Sequence, residues 1–150
     1  MHDSQVNSLL SEATKHVQIA DHLLTVTYKM AKDPKLLLSV MEHTKHGIEK
    51  TAQALALAEG KYHGTDDPVE AFSSTTYGKK DAEIITLHNS LEVTLKKFKE
   101  APMAFRKEQR FIIADEGFSS IKEVTPEELK HAMQTLKRFV HDAHKAVVGL

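Results

Sequence analysis

The sequence MEHTKHGIEKTAQALALAEG, residues 41–60, decides the fold class of this chain. Apolar or small side chains recur in it every three or four residues, which is the period of one face of an α-helix. The stripe consists of Met41, Thr44, Ile48, Ala52 and Leu55. Gly60 follows the stripe and suits a C-cap, because glycine adopts the left-handed conformation without steric cost. The alanines at 52, 54, 56 and 58 predict a thin helix that its neighbours approach closely.

The same period extends on both sides of this helix. It predicts a first helix over residues 5–31 and a second over residues 34–59, with Asp33 as the N-cap of the second and Pro34 at its first position. A third helix is predicted over residues 80–100. A last helix starts after Thr125, because TPEE at residues 125–128 combines an N-cap threonine, a proline and a capping-box glutamate.

Two parts of the chain lack a clear helical period. Residues 61–79 are rich in turn formers and predict an irregular crossover, with a functional lid as the alternative. Residues 103–113 predict a short helical piece after Pro102, and residues 114–124 predict a loop. Because no segment predicts a strand, the expected fold is all-α. It is a single domain, residues 1–150, folded as an antiparallel four- to five-helix up-and-down bundle.

The composition excludes several classes of protein. The chain has no cysteine, which rules out disulfides, thiolate metal sites and a cysteine nucleophile. Its formal net charge of −1 provides no overall attraction to nucleic acid or membrane. No apolar run reaches the roughly 20 residues that span a bilayer. We therefore expect a cytoplasmic protein without membrane contact and without a cofactor. Long amphipathic helices often leave an apolar strip for a partner, which is compatible with a homodimer.

Histidine, with ten residues, is the residue type in this chain to examine first for a metal site. The spacing of His43 and His46 puts two imidazoles on adjacent positions of one helix, where they could share a metal ion. A helical wheel places both on the solvent side, away from the apolar stripe. A di-iron bundle needs two Glu-x-x-His motifs, whereas the chain has one, from Glu128 to His131. The expectation is therefore no metal site, with His43 and His46 as a minor alternative.

A local excess of positive charge lies between residues 96 and 110. This segment has six basic and two acidic residues in a chain whose net charge is −1. Basic clusters bind the phosphates of nucleotides or RNA, so the predicted phosphate contacts are Arg106, Lys107 and Arg110. The alternative is a solvated basic face without a ligand.

The order of these segments resembles the HEPN superfamily of helical bundles (higher eukaryote and prokaryote nucleotide-binding). The resemblance lies in LLSEATKHVQIADHLL of the first helix, in HGIEKTAQALALAEG of the second, in the arginine-containing segment and in the acidic start of the last helix, TPEELKHAMQTLKRFVHDAHKAV. It implies a helical module that binds a nucleotide, RNA or a protein partner. We expect a non-catalytic member.

The resemblance also implies an alternative activity, because HEPN ribonucleases use an arginine followed four to six residues later by a histidine. Here Asp115 stands where the histidine would follow Arg110. An exposed aspartate is ionised at neutral pH and exchanges a proton poorly there. A ribonuclease that uses Arg110 and Asp115, and a scaffold without ligand, both stay open as alternatives. Arg138 and His144 also fit the spacing, but they lie about 120° apart on a helix, which indicates coincidence.

Overall fold

The computed structural model describes residues 3–64, 66–100, 103–107, 110–114 and 121–148. Its α-helices are α1 Asp3–His22, α2 Tyr28–Ala31, α3 Pro34–Ala58, α4 Pro68–Ser73, α5 Thr76–Lys80, α6 Ala82–Glu100 and α7 Pro126–Val148. A π-helical segment, Leu23–Thr27, joins α1 and α2 into one continuous rod. The mainly helical class predicted from the sequence is thus confirmed. Within the described ranges, no helix has the length and apolar character that crossing a membrane requires.

The predicted helix boundaries at Asp33 and Thr125 are confirmed by their hydrogen bonds. Lys32 ends the first rod in the left-handed conformation, with φ of 55°. The Asp33 carboxylate then accepts a hydrogen bond from the backbone N–H of Lys35 at 3.0 Å and caps α3. At the start of α7, the Thr125 hydroxyl accepts one from the backbone N–H of Glu128 at 3.2 Å. Both caps satisfy donors that a helix start leaves unpaired.

Helix α3, which carries the sequence quoted first, is the centre of the core and packs against α1, α4, α6 and α7. Ile48, on its apolar stripe, is completely buried. Thr44, on the same stripe, is also buried. Its hydroxyl remains hydrogen-bonded, because it donates to the carbonyl of Val40 at 2.7 Å. Gly47 allows α7 to approach closely: a Cβ there would lie 2.8 Å from a methyl carbon of Leu136.

The segment over residues 61–79, predicted to be irregular, contains the two short helices α4 and α5. Asp67 caps α4 by accepting from the backbone N–H of Val69 at 2.9 Å and of Glu70 at 3.1 Å. Phe72 of α4 is fully buried and meets Phe139 of α7 edge to face, with ring centroids 5.2 Å apart. The irregular crossover is therefore corrected to a folded segment that is docked on the core.

A small antiparallel sheet replaces the helical piece and loop predicted over residues 103–124. Its strands are β1 Met103–Lys107, β2 Arg110–Ala114 and β3 Ile121–Val124, in the order β1-β2-β3. The all-α prediction is wrong here. Ile112, Ile113 and Ala114 are all buried, so the second half of β2 is a continuous apolar run, and β-branched isoleucine favours strands. Strand β2 contacts α3, so the sheet shares the core of the helices.

Candidate functional site

A row of titratable side chains crosses three helices. It consists of His16 on α1, of His43, His46 and Glu49 on α3, and of His88 on α6. We call this set the histidine row. Consecutive members on α3 are three residues apart and therefore neighbours on the helix surface, whereas His43 and Glu49 lie about 120° apart. For this reason His43 faces α1 and Glu49 faces α6.

The first end of the row is a direct contact between two imidazoles. The Nδ1 atoms of His16 and His43 lie 2.9 Å apart, and the ring centroids 5.2 Å apart. At this distance one nitrogen carries a proton and donates it to the lone pair of the other. The ring of His46 lies 5.4 Å from that of His16. His16 is therefore the imidazole that both rings of α3 contact.

Both members of this pair are held in the neutral form. Burial lowers the pKa of His16, and the neighbouring His43 and His46 lower it further, against an opposing effect of Glu12. Burial also lowers the pKa of His43, followed by the effect of His46. A lowered pKa means that these imidazoles are uncharged at neutral pH, with nitrogen lone pairs available.

The other end of the row is a buried histidine paired with a carboxylate. The Nε2 atom of His88 lies 3.0 Å from Oε2 of Glu49, and Lys45 lies 3.6 Å from the same oxygen. Burial raises the pKa of Glu49, but the hydrogen bond to His88 and the charge of Lys45 outweigh it, so that the pKa is lowered overall. Nδ1 of His88 is buried without a hydrogen-bond partner among the described residues.

This geometry limits what the row can do. His88 is only 3% exposed, so a substrate cannot reach it without movement of α3 or α6. In the described part of the chain, no three histidine, aspartate or glutamate side chains form a group that could hold a metal ion. The accessible chemistry of the row is therefore at His16, His43 and His46.

The helical wheel correctly left His46 exposed but did not identify the environment of His43. His43 is half-buried because it faces His16 across the α1–α3 interface. His16 itself was not a predicted site residue. A helical wheel shows which residues of one helix share a face, but not which residues of another helix pack against that face. The sequence therefore contained no direct signal for the contact between His16 and His43.

The predicted basic residues lie at one end of a hairpin. Arg106 and Lys107 are the last residues of β1, and Arg110 is the first residue of β2. In the antiparallel register Lys107 is the partner of Arg110, and Arg106 is the partner of Phe111. The backbone thus places Lys107 opposite Arg110, with Arg106 one residue before this pair. Asp115, the predicted partner of Arg110 in the ribonuclease alternative, lies outside the described residues.

A second basic surface surrounds a pocket of about 260 Å³ between the first rod and the start of α7. Its lining includes Leu24 and Tyr28, both buried, and the exposed Lys29 and Lys130. Glu127 lines the same pocket and offsets part of the positive charge. This surface provides a comparison for the basic hairpin.

Arg138 and His144 face different helices. The guanidinium of Arg138 lies 3.3 Å from Asp81, which precedes α6, and 3.2 Å from Asp142. His144 lies 3.5 Å from the hydroxyl of Thr14 on α1. Although Arg138 lines a pocket of about 680 Å³, its ion pairs hold it away from His144. This separation agrees with the interpretation of their spacing as coincidence.

Comparison of this chain with protein-family models, with curated proteins and with solved structures finds no match.

Proposed function

We propose that this chain is a non-catalytic binding module whose ligand carries phosphate, either a nucleotide or RNA. The contacts are Arg106, Lys107 and Arg110. The observation that supports the proposal is the register of the β1–β2 hairpin, in which Lys107 pairs with Arg110 and Arg106 precedes that pair. Three residues that the sequence spreads over five positions are thereby gathered at one end of a sheet.

Local positive charge supports the hairpin as the binding site. Paired residues of an antiparallel sheet have Cα atoms about 4.5–5.5 Å apart, and we infer that one phosphate, or two successive phosphates, binds at the Lys107–Arg110 pair. In the sequence the hairpin follows α6, whose last turn has two further basic residues, Lys97 and Lys99. A cluster of this kind attracts phosphate locally, even though the chain as a whole has a net charge of −1.

The same proposal includes a HEPN-like relationship and an antiparallel up-and-down arrangement of α1, α3, α6 and α7. Side-chain pairs support opposite directions for neighbouring helices. Between α1 and α3, Lys50 pairs with Glu12 at 3.3 Å while His43 meets His16, so residue numbers rise on one helix as they fall on the other.

A homodimer also belongs to the proposal. The first rod exposes Ile19 (43%), Val26 (42%) and Met30 (83%), and a second copy would cover these side chains. Light scattering during gel filtration measures the mass. A dimer that becomes a monomer in the Met30→Glu variant supports this arrangement, whereas a wild-type monomer at high concentration contradicts it.

Binding is tested by fluorescence anisotropy with labelled single-stranded RNA of mixed sequence, and by competition with ATP. The Arg106→Glu/Arg110→Glu variant is expected to bind at least about tenfold more weakly than the wild type. The matched control is Lys29→Glu/Lys130→Glu, which makes the same charge change at the second basic surface. If this control loses more RNA affinity than the hairpin variant, the binding site is at the pocket beside α7 and not at the hairpin.

The non-catalytic part of the proposal has its own test. The purified chain is incubated with the same RNA, and the products are separated by size. Intact RNA is expected. Cleavage by the wild type that is lost in Arg110→Ala would instead establish the ribonuclease alternative, because a contaminating nuclease would not depend on Arg110.

A further inference from the structure

The contact between His16 and His43 joins two helices through atoms that are good metal ligands. Histidine is a common ligand of Zn²⁺, Ni²⁺ and Cu²⁺, and it binds them through the lone pair of a neutral ring nitrogen. In this pair the two facing Nδ1 atoms come from different helices, α1 and α3.

We propose that His16 and His43 together bind one divalent transition-metal ion of the Zn²⁺, Ni²⁺ and Cu²⁺ class and so connect α1 to α3. The ion takes the place of the proton between the two Nδ1 atoms, and the ring that carried this proton binds the ion as its other tautomer, with the proton on Nε2. Two imidazole nitrogens hold it, and water completes the coordination shell. This site is separate from the basic hairpin, so it does not depend on the proposed phosphate ligand.

The distance between the nitrogens is close to what the ion needs. A zinc–nitrogen bond of about 2.0–2.1 Å and a tetrahedral angle place two ligand nitrogens about 3.3 Å apart. The Nδ1 atoms are 2.9 Å apart, so they must separate by only a few tenths of an ångström. Small rotations of half-buried side chains provide such a movement without a change in the packing of the helices.

The surroundings also suit a cation that enters from solvent. Both rings are half-buried, so one side of the pair is open to water. The lowered pKa values of His16 and His43 mean that no proton has to be displaced from a charged imidazolium at neutral pH. Glu42 contributes negative charge near His43. Near His16 the charge of Lys50 has a larger effect than that of Glu12, its ion-pair partner at 3.3 Å, so the two imidazole lone pairs provide the attraction for the ion.

The proposed pair, His16 and His43, differs from the pair that the spacing on α3 suggests, His43 and His46. His43 and His46 are neighbours along one helix, but it is His16 that contacts both of their rings. A site that crosses the interface requires His16, whereas a site along α3 does not. No third ligand is already in place, because the described residues contain no group of three that could hold a metal ion.

The test uses the full chain without an affinity tag, stripped of metal with a chelator. Calorimetric titration with ZnCl₂ and with NiCl₂ measures affinity and stoichiometry, and thermal unfolding measures stabilisation. The wild type is expected to bind one ion and to gain about 5 °C or more in Tm at saturating Zn²⁺. Mg²⁺, which prefers oxygen ligands, is expected to leave the Tm unchanged.

Variants locate the site. His16→Gln and His43→Gln are each expected to bind Zn²⁺ at least about tenfold more weakly, because each removes one of two ligands. The exposed His141→Gln is the matched control and is expected to stay within about twofold of the wild type. His46→Gln, one turn from His43, is expected to lose less affinity than His16→Gln. Circular dichroism checks that each variant folds.

If a variant does not fold, NMR of the wild type still tests whether His16 and His43 bind the ion. Their imidazole signals must shift when Zn²⁺ is added, and unchanged signals would contradict the proposal. Three further results would overturn the proposal. They are no metal uptake by the wild type, undiminished binding by His16→Gln, or a loss in His46→Gln as large as that in His16→Gln.

Discussion

Nε2 of His88 on α6 lies 3.0 Å from Oε2 of Glu49 on α3, at a point where His88 is almost fully buried. The contact explains how a polar side chain is accommodated between two helices of the core. It satisfies one ring nitrogen of His88 and leaves Nδ1 without a partner among the described residues. An interaction of this kind matters for stability, because an unpaired buried polar atom costs about 1–3 kcal/mol.

The first prediction concerns Glu49→Gln. Because the folded-state pKa of Glu49 is lowered, its carboxylate stabilises the fold above the unfolded-state pKa near 4.5, and this stabilisation is lost as the pH falls through the lower folded-state pKa. Urea unfolding is expected to show a loss of about 1–2 kcal/mol at pH 7 and a much smaller one near pH 3. The control is Glu92→Gln on the exposed face of α6. An equal loss for Glu49→Gln at both pH values would contradict this.

The second prediction ranks three alanine substitutions by the space around each glycine. At Gly78 a Cβ would lie 1.9 Å from the carbonyl oxygen of Phe72, and backbone cannot move aside cheaply. At Gly47 it would lie 2.8 Å from a Leu136 methyl, which can shift at a cost of about 1–3 kcal/mol. At Gly64 nothing lies within 4 Å. Thermal unfolding should therefore show the greatest loss for Gly78→Ala and almost none for Gly64→Ala; a different order would refute the packing described.

The third prediction tests whether the segment over residues 61–79 is docked on the core. Phe72 is fully buried against Phe139, so Phe72→Ala is expected to lower the free energy of unfolding by about 3–5 kcal/mol. Limited proteolysis should then cut within residues 61–79. Val93→Ala, at a position that is 55% exposed, is the control and should change stability by less than about 0.5 kcal/mol. A loss below about 1 kcal/mol in Phe72→Ala would mean that the segment is only loosely attached.

The fourth prediction concerns the salt dependence of RNA binding. Each phosphate contact with single-stranded RNA contributes about −0.7 to the slope of log K against log salt concentration. The Arg106→Gln/Arg110→Gln variant should therefore have a slope shallower by about 1.4 than the wild type. Lys29→Gln/Lys130→Gln should keep the wild-type slope. If the hairpin variant binds with an unchanged slope, Arg106 and Arg110 do not contact phosphate.

Much of the helical framework could be predicted from the sequence, because helix signals are local. The stripe from Met41 to Leu55 and the caps at Asp33 and Thr125 each involve residues within a few positions of one another. The sheet was missed because a short apolar run, such as the one over residues 111–114, has no period that distinguishes a strand from a buried helix. A strand also needs partners, and the partner of Arg110 is set by a register that local pattern does not specify.

In the candidate sites too, some features were visible in the sequence and others depended on tertiary contacts. The positive charge around Arg106 and Arg110 is a property of composition and was visible in the sequence. The pairing of Lys107 with Arg110 followed only from the strands. The contact between His16 and His43 joins residues that are 27 positions apart, and the contact between Glu49 and His88 joins residues 39 apart.

By itself, then, the sequence determined that this chain is mainly helical, where its long helices begin and end, and which side chains carry its charge and its histidines. These properties depend on backbone hydrogen bonds and side-chain period within a few residues. Tertiary structure alone decided that His43 meets His16 rather than solvent, that Phe72 fills a space beside Phe139, and that residues 103–124 form a sheet. The physical reason is that each of these three features is a contact between residues far apart in the sequence. Such contacts form only when the elements that carry the residues pack together in the core.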